Sequence, residues 1–187
     1  MEPVDVPIRE TWEAMQELQR AGLVKSIGVS NFNCQLLRDL LSWADIPPSV
    51  LQIESHPRLT QEKLIRFCHE RDIIVTAFSP LGAEAYYAID MATENQSLLT
   101  DPCVTSIASD VSRSPAQILL RWGIQRGTAV IPKSSNPLHM AENLNVFDFE
   151  LTDSQMSKIS DLNQNLRFND PGEFCEKAFN TFFPIYE

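Results

Sequence analysis

The chain has 187 residues, 15 Lys plus Arg against 25 Asp plus Glu, and 43% hydrophobic residues. That length suits one domain with a real core and falls short of the roughly 250 residues of a complete eight-stranded β/α barrel. A net charge of −10 argues against an electrostatic grip on nucleic acid or on an anionic membrane surface.

Apolar periodicity predicts a helix over residues 9–21, with Trp12, Met15 and Leu18 on one face and Gly22 just past its end. Val24-Lys25-Ser26-Ile27-Gly28-Val29 reads as a strand, followed by Ser30-Asn31-Phe32-Asn33. Leu36, Leu37, Leu40 and Leu41 form a second helical stripe, broken by Pro47-Pro48. Residues 50–54 form the second strand. Thr60-x-x-Lys63 opens a third helix carrying Leu64, Ile65, Phe67 and Cys68. Residues 73–78 are a short, continuously apolar third strand, the kind that helices cover in parallel sheets. The segment 79–99 has no clear period, and loops that long are usually functional. Asp101-Pro102, Ser114-Pro115 and Asn136-Pro137 each start a helix as cap and first residue. Residues 128–131 are the fourth strand, and Thr152-x-x-Gln155 is a capping box for a last helix. The tail, 163–187, is aromatic and reads as irregular. Strands alternating with helices mean a parallel α/β architecture.

The cysteines (Cys34, Cys68, Cys103, Cys175) form no CxxC pair, and the histidines (His56, His69, His139) show no metal-ligand spacing. The expectation is a reduced, cytoplasmic protein without a metal site. Neither a membrane span nor a signal peptide is expected, since the start lacks a basic-then-apolar profile. The six glycines spell neither GxGxxG nor GxxxxGK[ST]. A nucleotide would have to be held another way.

Parallel α/β folds bind ligands at the carboxyl ends of their strands. Those ends carry Ser30-Asn31, then Gln52, Glu54 and His56, then Phe78-Ser79, then Lys133-Ser134. Side-chain amides match a carboxamide, Phe78 can stack on a ring, and Lys133 can meet a phosphate. Taken singly, each is an ordinary loop residue. Together they suit a flat polar heterocycle joined to an anion.

These residues sit in longer motifs that resemble the aldo-keto reductases. Gly22-Leu23-Val24-Lys25-Ser26-Ile27-Gly28-Val29-Ser30-Asn31-Phe32 looks like one family signature. Ile131-Pro132-Lys133-Ser134 with Glu142-Asn143 resembles another. Leu51-Gln52-Ile53-Glu54-x-His56-Pro57 and Val75-Thr76-Ala77-Phe78-Ser79-Pro80-Leu81-Gly82 are similar to the segments between. Phe168-Asn169-Asp170-Pro171 is similar to the aldose and xylose reductase branch, with plant-type aldose-6-phosphate reductases close behind.

The resemblance implies the C-terminal half, strands 5–8, of a (β/α)8 TIM barrel. Residues 1–187 would be a partial reductase domain and 163–187 its aromatic tail. It implies NADPH as cofactor and a small aldehyde or aldose as substrate. Ser30, Asn31 and Gln52 would hold the nicotinamide carboxamide. Phe78 stands where the family usually stacks a Tyr. Ser79 and Leu81 would contact the pyrophosphate, Lys133 and Ser134 the 2′-phosphate, and Glu142 and Asn143 the adenine end. His139 replaces a usual Arg, which makes NADH use plausible. Ala83 stands where a Ser is common. The family's catalytic tetrad of Asp, Tyr, Lys and His lies on the first four strands. No catalytic residue can be assigned, and the chain alone is expected to be inactive.

Two other readings stand beside this one. A half-barrel leaves two open strand edges and a bare interior, which suits a binding or assembly module that pairs with a second half or a second copy. An unrelated small flavodoxin-like domain fits the composition but not the motifs.

Overall fold

Four parallel strands, β1 (Gly28–Ser30), β2 (Val50–Glu54), β3 (Ile74–Phe78) and β4 (Thr128–Val130), lie side by side in chain order. They come from a computed structural model that describes residues 4–186. Residues 1–3, read above for a leader, and Glu187, the end of the tail, lie outside it. Helix α1 (Ile8–Arg20) precedes β1, α2 (Cys34–Trp43) joins β1 to β2, and α3 (Glu62–His69) joins β2 to β3. After β3 come two short 3-10 helices, Ala83–Ile89 and Glu94–Gln96, then α4 (Pro102–Val111) and α5 (Pro115–Gln125) before β4. Helices α6 (Pro137–Leu144), α7 (Asp153–Ser160) and α8 (Pro171–Phe179) complete the chain.

Register explains which residues face which way. Val29 pairs with Leu51, Leu51 with Val75, and Val75 with Thr128, so these share a face. That face is buried under Leu37, Ile65 and Cys68 of α2 and α3. On the other face Gly28 pairs with Val50, Val50 with Ile74, Gln52 with Thr76, and Thr76 with Ala129. Ile74 there is 58% exposed. Among the described residues the first and last strands are edges. Gly28 is glycine because a Cβ there would lie 2.5 Å from the Val50 carbonyl oxygen.

A second core joins α4, α5 and α7 through Ile107, Leu119, Trp122 and Ile159. A third ties α1 to the sheet through Trp12, Ile27 and Leu40, with the Trp12 indole N–H donating to the Ile46 carbonyl at 3.0 Å. The expected caps form. Asp101 Oδ1 accepts from Cys103 N–H, and Ser114 and Thr152 close capping boxes with Gln117 and Gln155.

Four expectations need correcting. The first strand begins at Gly28 rather than Val24, because the ladder with β2 starts at the Gly28–Val50 pair, and only Ile27 before it is tied across, its carbonyl accepting from Ser49 N–H at 2.8 Å. Thr60 does not open α3: its N–H donates to Asn163 Oδ1 and its carbonyl accepts from Arg126, while the helix starts at Glu62. Segment 79–99 is ordered into 3-10 turns, tied by a bridge between Gly82 and Ser97. The tail is not irregular throughout: Asp170 caps α8 by accepting from Gly172 and Glu173 N–H.

Candidate active-site rim

The rim at the strand ends divides into two cavities with a bridge between them. The larger, about 770 Å³, includes Ser30 and Asn31 from the β1–α2 turn, Gln61, Arg167, and the tail residues Phe183 and Tyr186 in its wall. Asn31 lies in the left-handed region at φ 59, and its N–H donates to the Gln52 carbonyl at 2.9 Å. Ser30 Oγ donates to the same carbonyl at 3.1 Å. Turning the chain this way leaves Asn31 Oδ1 buried with no partner among the described residues. A buried acceptor without a partner is costly unless a ligand donor reaches it.

The smaller cavity, about 220 Å³, gathers Leu81, Lys133, Ser134, His139, Glu142 and Asn143 with Leu99 and the start of α5. The Asn136 cap and Pro137 set the first turn of α6, which places His139, Glu142 and Asn143 near Lys133. Ser134 Oγ accepts from the Asn136 N–H at 3.1 Å. A cation, a hydroxyl, an imidazole, a carboxylate and an amide around one apolar patch suit a nucleoside bearing an anionic group.

Gln52, Phe78 and Ser79 lie between. Gln52 is half-buried on the open sheet face opposite Ser30 and Thr76. Phe78 ends β3, paired with Glu54, and is half-buried. Ser79 turns the chain at φ 49, with its Oγ 2.6 Å from the Tyr86 hydroxyl. Of the eleven residues anticipated, two line the larger cavity, six the smaller, and three the bridge. They do not meet at one point. An extended ligand is needed to touch them all.

Under the tail lies a floor that strand-end spacing does not reveal. Glu54 is fully buried, and its carboxylate accepts from Phe168 N–H at 2.8 Å and Asn169 N–H at 2.9 Å. His56, also fully buried, places Nε2 2.9 Å from Glu54 Oε1. Its ring lies 5.1 Å from Phe168. Arg167 reaches within 3.9 Å of Glu54 and lies 3.6 Å over the Tyr186 ring. Burial pushes the Tyr186 phenol above its ordinary value, and Arg167 pulls against that. A charged residue at a strand position of otherwise buried neighbours was the available signal for Glu54. Its tail partners lie 114 and 115 residues away, and no local pattern points to them.

Comparison with known proteins gives one consistent result. The model of the Aldo/keto reductase family matches residues 2–164. The chain is 47% identical over 172 residues to the NADH-dependent D-xylose reductase of Candida parapsilosis, covering 91% of this chain and 53% of that protein. It is 47% identical over 184 residues to a probable NAD(P)H-dependent D-xylose reductase of Arthroderma otae, covering 97% and 55%. It is 46% identical over 171 residues to aldose reductase B of Dictyostelium discoideum, covering 91% and 52%. The chain spans about half the length of the curated relatives it matches.

Proposed function

The chain belongs to the aldo/keto reductase family, and from that premise we propose that it is the strand 5–8 half of a reductase barrel, built to hold a nicotinamide cofactor. The observation that carries this reading is the smaller cavity, which Lys133, Ser134, His139, Glu142 and Asn143 line together with Leu81. The orphaned acceptor of Asn31 at the far end fits a carboxamide N–H₂.

Each side chain then has a task. Ser30, Asn31 and Gln52 hold the carboxamide and fix which face of the ring is presented. Phe78 stacks on that ring and excludes water from one side. Ser79 and Leu81 contact the pyrophosphate. Lys133 and Ser134 hold the 2′-phosphate, with His139 beside them, and Glu142 and Asn143 hold the adenine end. Bound NAD(P)H would supply the hydride for reduction of an aldehyde or aldose carbonyl. The acid that protonates the carbonyl oxygen belongs to the tetrad of the other half, so the chain alone is proposed to be inactive. His139 in place of Arg leaves NADH as an acceptable alternative to NADPH. A cytoplasmic setting is proposed from the four free cysteines. Among the described residues no helix is long and apolar enough to cross a membrane.

Titration with NADPH and NADH, followed by nicotinamide fluorescence, tests the cofactor reading. Weak binding is expected, because half of the cofactor wall is contributed elsewhere. An assay with NADPH and xylose should show no turnover. Turnover by the purified 187-residue chain overturns the assignment of catalysis to the other half.

The open sheet face supports a second reading, a half-barrel that pairs with a second copy. Ile74 is 58% exposed there, and among the described residues β1 and β4 have unpaired edges. Light scattering decides: a well-folded monomer at micromolar concentration rules the pairing out.

A further inference from the structure

The Ser79 hydroxyl is already engaged inside the protein. Its Oγ lies 2.6 Å from the Tyr86 hydroxyl. Tyr86 is 6% exposed, in the 3-10 helix after β3. Its ring stacks on Phe168 with centroids 6.0 Å apart and planes 24° from parallel. Phe168 is itself fixed, by its N–H to Glu54 and by its ring against His56. A continuous buried column thus runs from β2 through the tail to the hydroxyl that the cofactor reading places on the pyrophosphate.

A serine hydroxyl has one proton to give and two lone pairs to receive. If Ser79 gave that proton to Tyr86, it would meet a phosphate with lone pairs only, which repel. The opposite arrangement is chemically preferred, because a phenol is the stronger acid and hence the stronger donor. Burial, with hydrogen bonding to Ser79 and Asn169 opposing it, pushes the Tyr86 phenol above its ordinary value of 10.0, so the phenol keeps its proton.

We propose that Tyr86 is a positioning residue for pyrophosphate recognition: its O–H donates to Ser79 Oγ and so aims the Ser79 O–H at a phosphate oxygen. The inference rests on the cofactor reading above. Ala83, at a position where the family commonly has a hydroxyl, leaves Ser79 with more of that task. The column through Phe168 makes the aim depend on the seating of the tail.

The test uses two ligands that differ in the pyrophosphate. Isothermal titration of the 187-residue chain with 2′-phospho-ADP-ribose and with adenosine 2′-monophosphate is compared between wild type and Tyr86→Phe. Tyr86→Phe keeps the ring and its stack on Phe168. It should weaken 2′-phospho-ADP-ribose about ten- to a hundredfold, the size of one lost charge-assisted hydrogen bond. Adenosine 2′-monophosphate should bind within about twofold of wild type, which general loosening of the fold would not allow. Ser79→Ala should produce the same selective loss, and the double variant should lose no more than Ser79→Ala alone. Circular dichroism checks that each variant folds, and Ser79→Ala carries the test if Tyr86→Phe does not. Equal weakening of both ligands, unchanged binding in either folded variant, or additive losses overturn the proposal. Wild type that binds neither ligand overturns the cofactor reading itself, and this inference with it. Wild type that gains nothing from the pyrophosphate overturns only the role of Ser79 and Tyr86.

Discussion

The two faces of the sheet obey opposite rules although they alternate along the same strands. On the helix side Leu51 and Val75 are fully buried and Ile53 nearly so, beneath α2 and α3. On the other side their immediate neighbours Val50, Gln52, Ile74 and Thr76 are half-buried or exposed. The open face is not uniform either. It is bare toward its lower end at Ile74 and sealed at its upper end, where Glu54 lies under residues 168 and 169 of the tail. The helices therefore stabilise this fold, while the tail organises the end where the candidate site lies.

The largest expected contrast comes from matched truncations. Leu51→Ala should cost about 2–5 kcal/mol by urea unfolding, from lost burial and an unfilled cavity. Ile74→Ala on the open face should cost well under about 1 kcal/mol. Equal costs would mean that the open face is packed in solution, as pairing between copies requires. Glu54→Ala should come next, at about 2–4 kcal/mol, because it strands the buried Phe168 N–H and the part-buried Asn169 N–H. Its distinguishing mark is faster proteolysis within residues 163–186 before the rest of the chain is cut. Glu54→Ala with an intact tail would show that Phe168 and Arg167 hold the segment without it.

The covered face also makes a pH prediction. Burial first, then Cys34, raises the Cys68 thiol from 9.0 to about 11, with Arg71 opposing. The folded state therefore keeps this proton longer than the unfolded chain. Its stabilising contribution is whole below pH 9 and is lost as the pH climbs toward 11. Urea midpoints of wild type should fall across that window, and those of Cys68→Ala should fall less. The smallest effect belongs to the exposed rim. His139→Arg should favour NADPH over NADH by about two- to fivefold in the ratio of dissociation constants, since an exposed charge pair contributes little.

What could be read from the sequence divides along range. Capping at Ser114, Asn136 and Thr152 was legible because each cap reaches only two or three residues ahead. The strands at residues 50–54 and 73–78 were legible because short apolar runs between helical stripes have few other homes. Helix α8 carries the same Asp-Pro start as α4, so its signal was present in Asp170-Pro171 but hidden by the aromatic residues that follow. The turns of segment 79–99 left no such trace. They are held by Tyr86 on Ser79, by the Gly82–Ser97 bridge, and by a contact between Ser97 Oγ and Glu84. Contacts of that kind have no period.

The alternation of strands and helices, the helix starts and the polar residues at each strand end are all legible along the chain before it folds. Those properties are local, written in spacing and in single side chains. The division of the rim into two cavities, the seating of the tail on Glu54 and His56, and the exposure of Ile74 at the lower end of the open face come from the folded arrangement. Each of these depends on groups dozens of residues apart meeting in space, and burial of an acceptor or a ring appears only once the chain has folded around it.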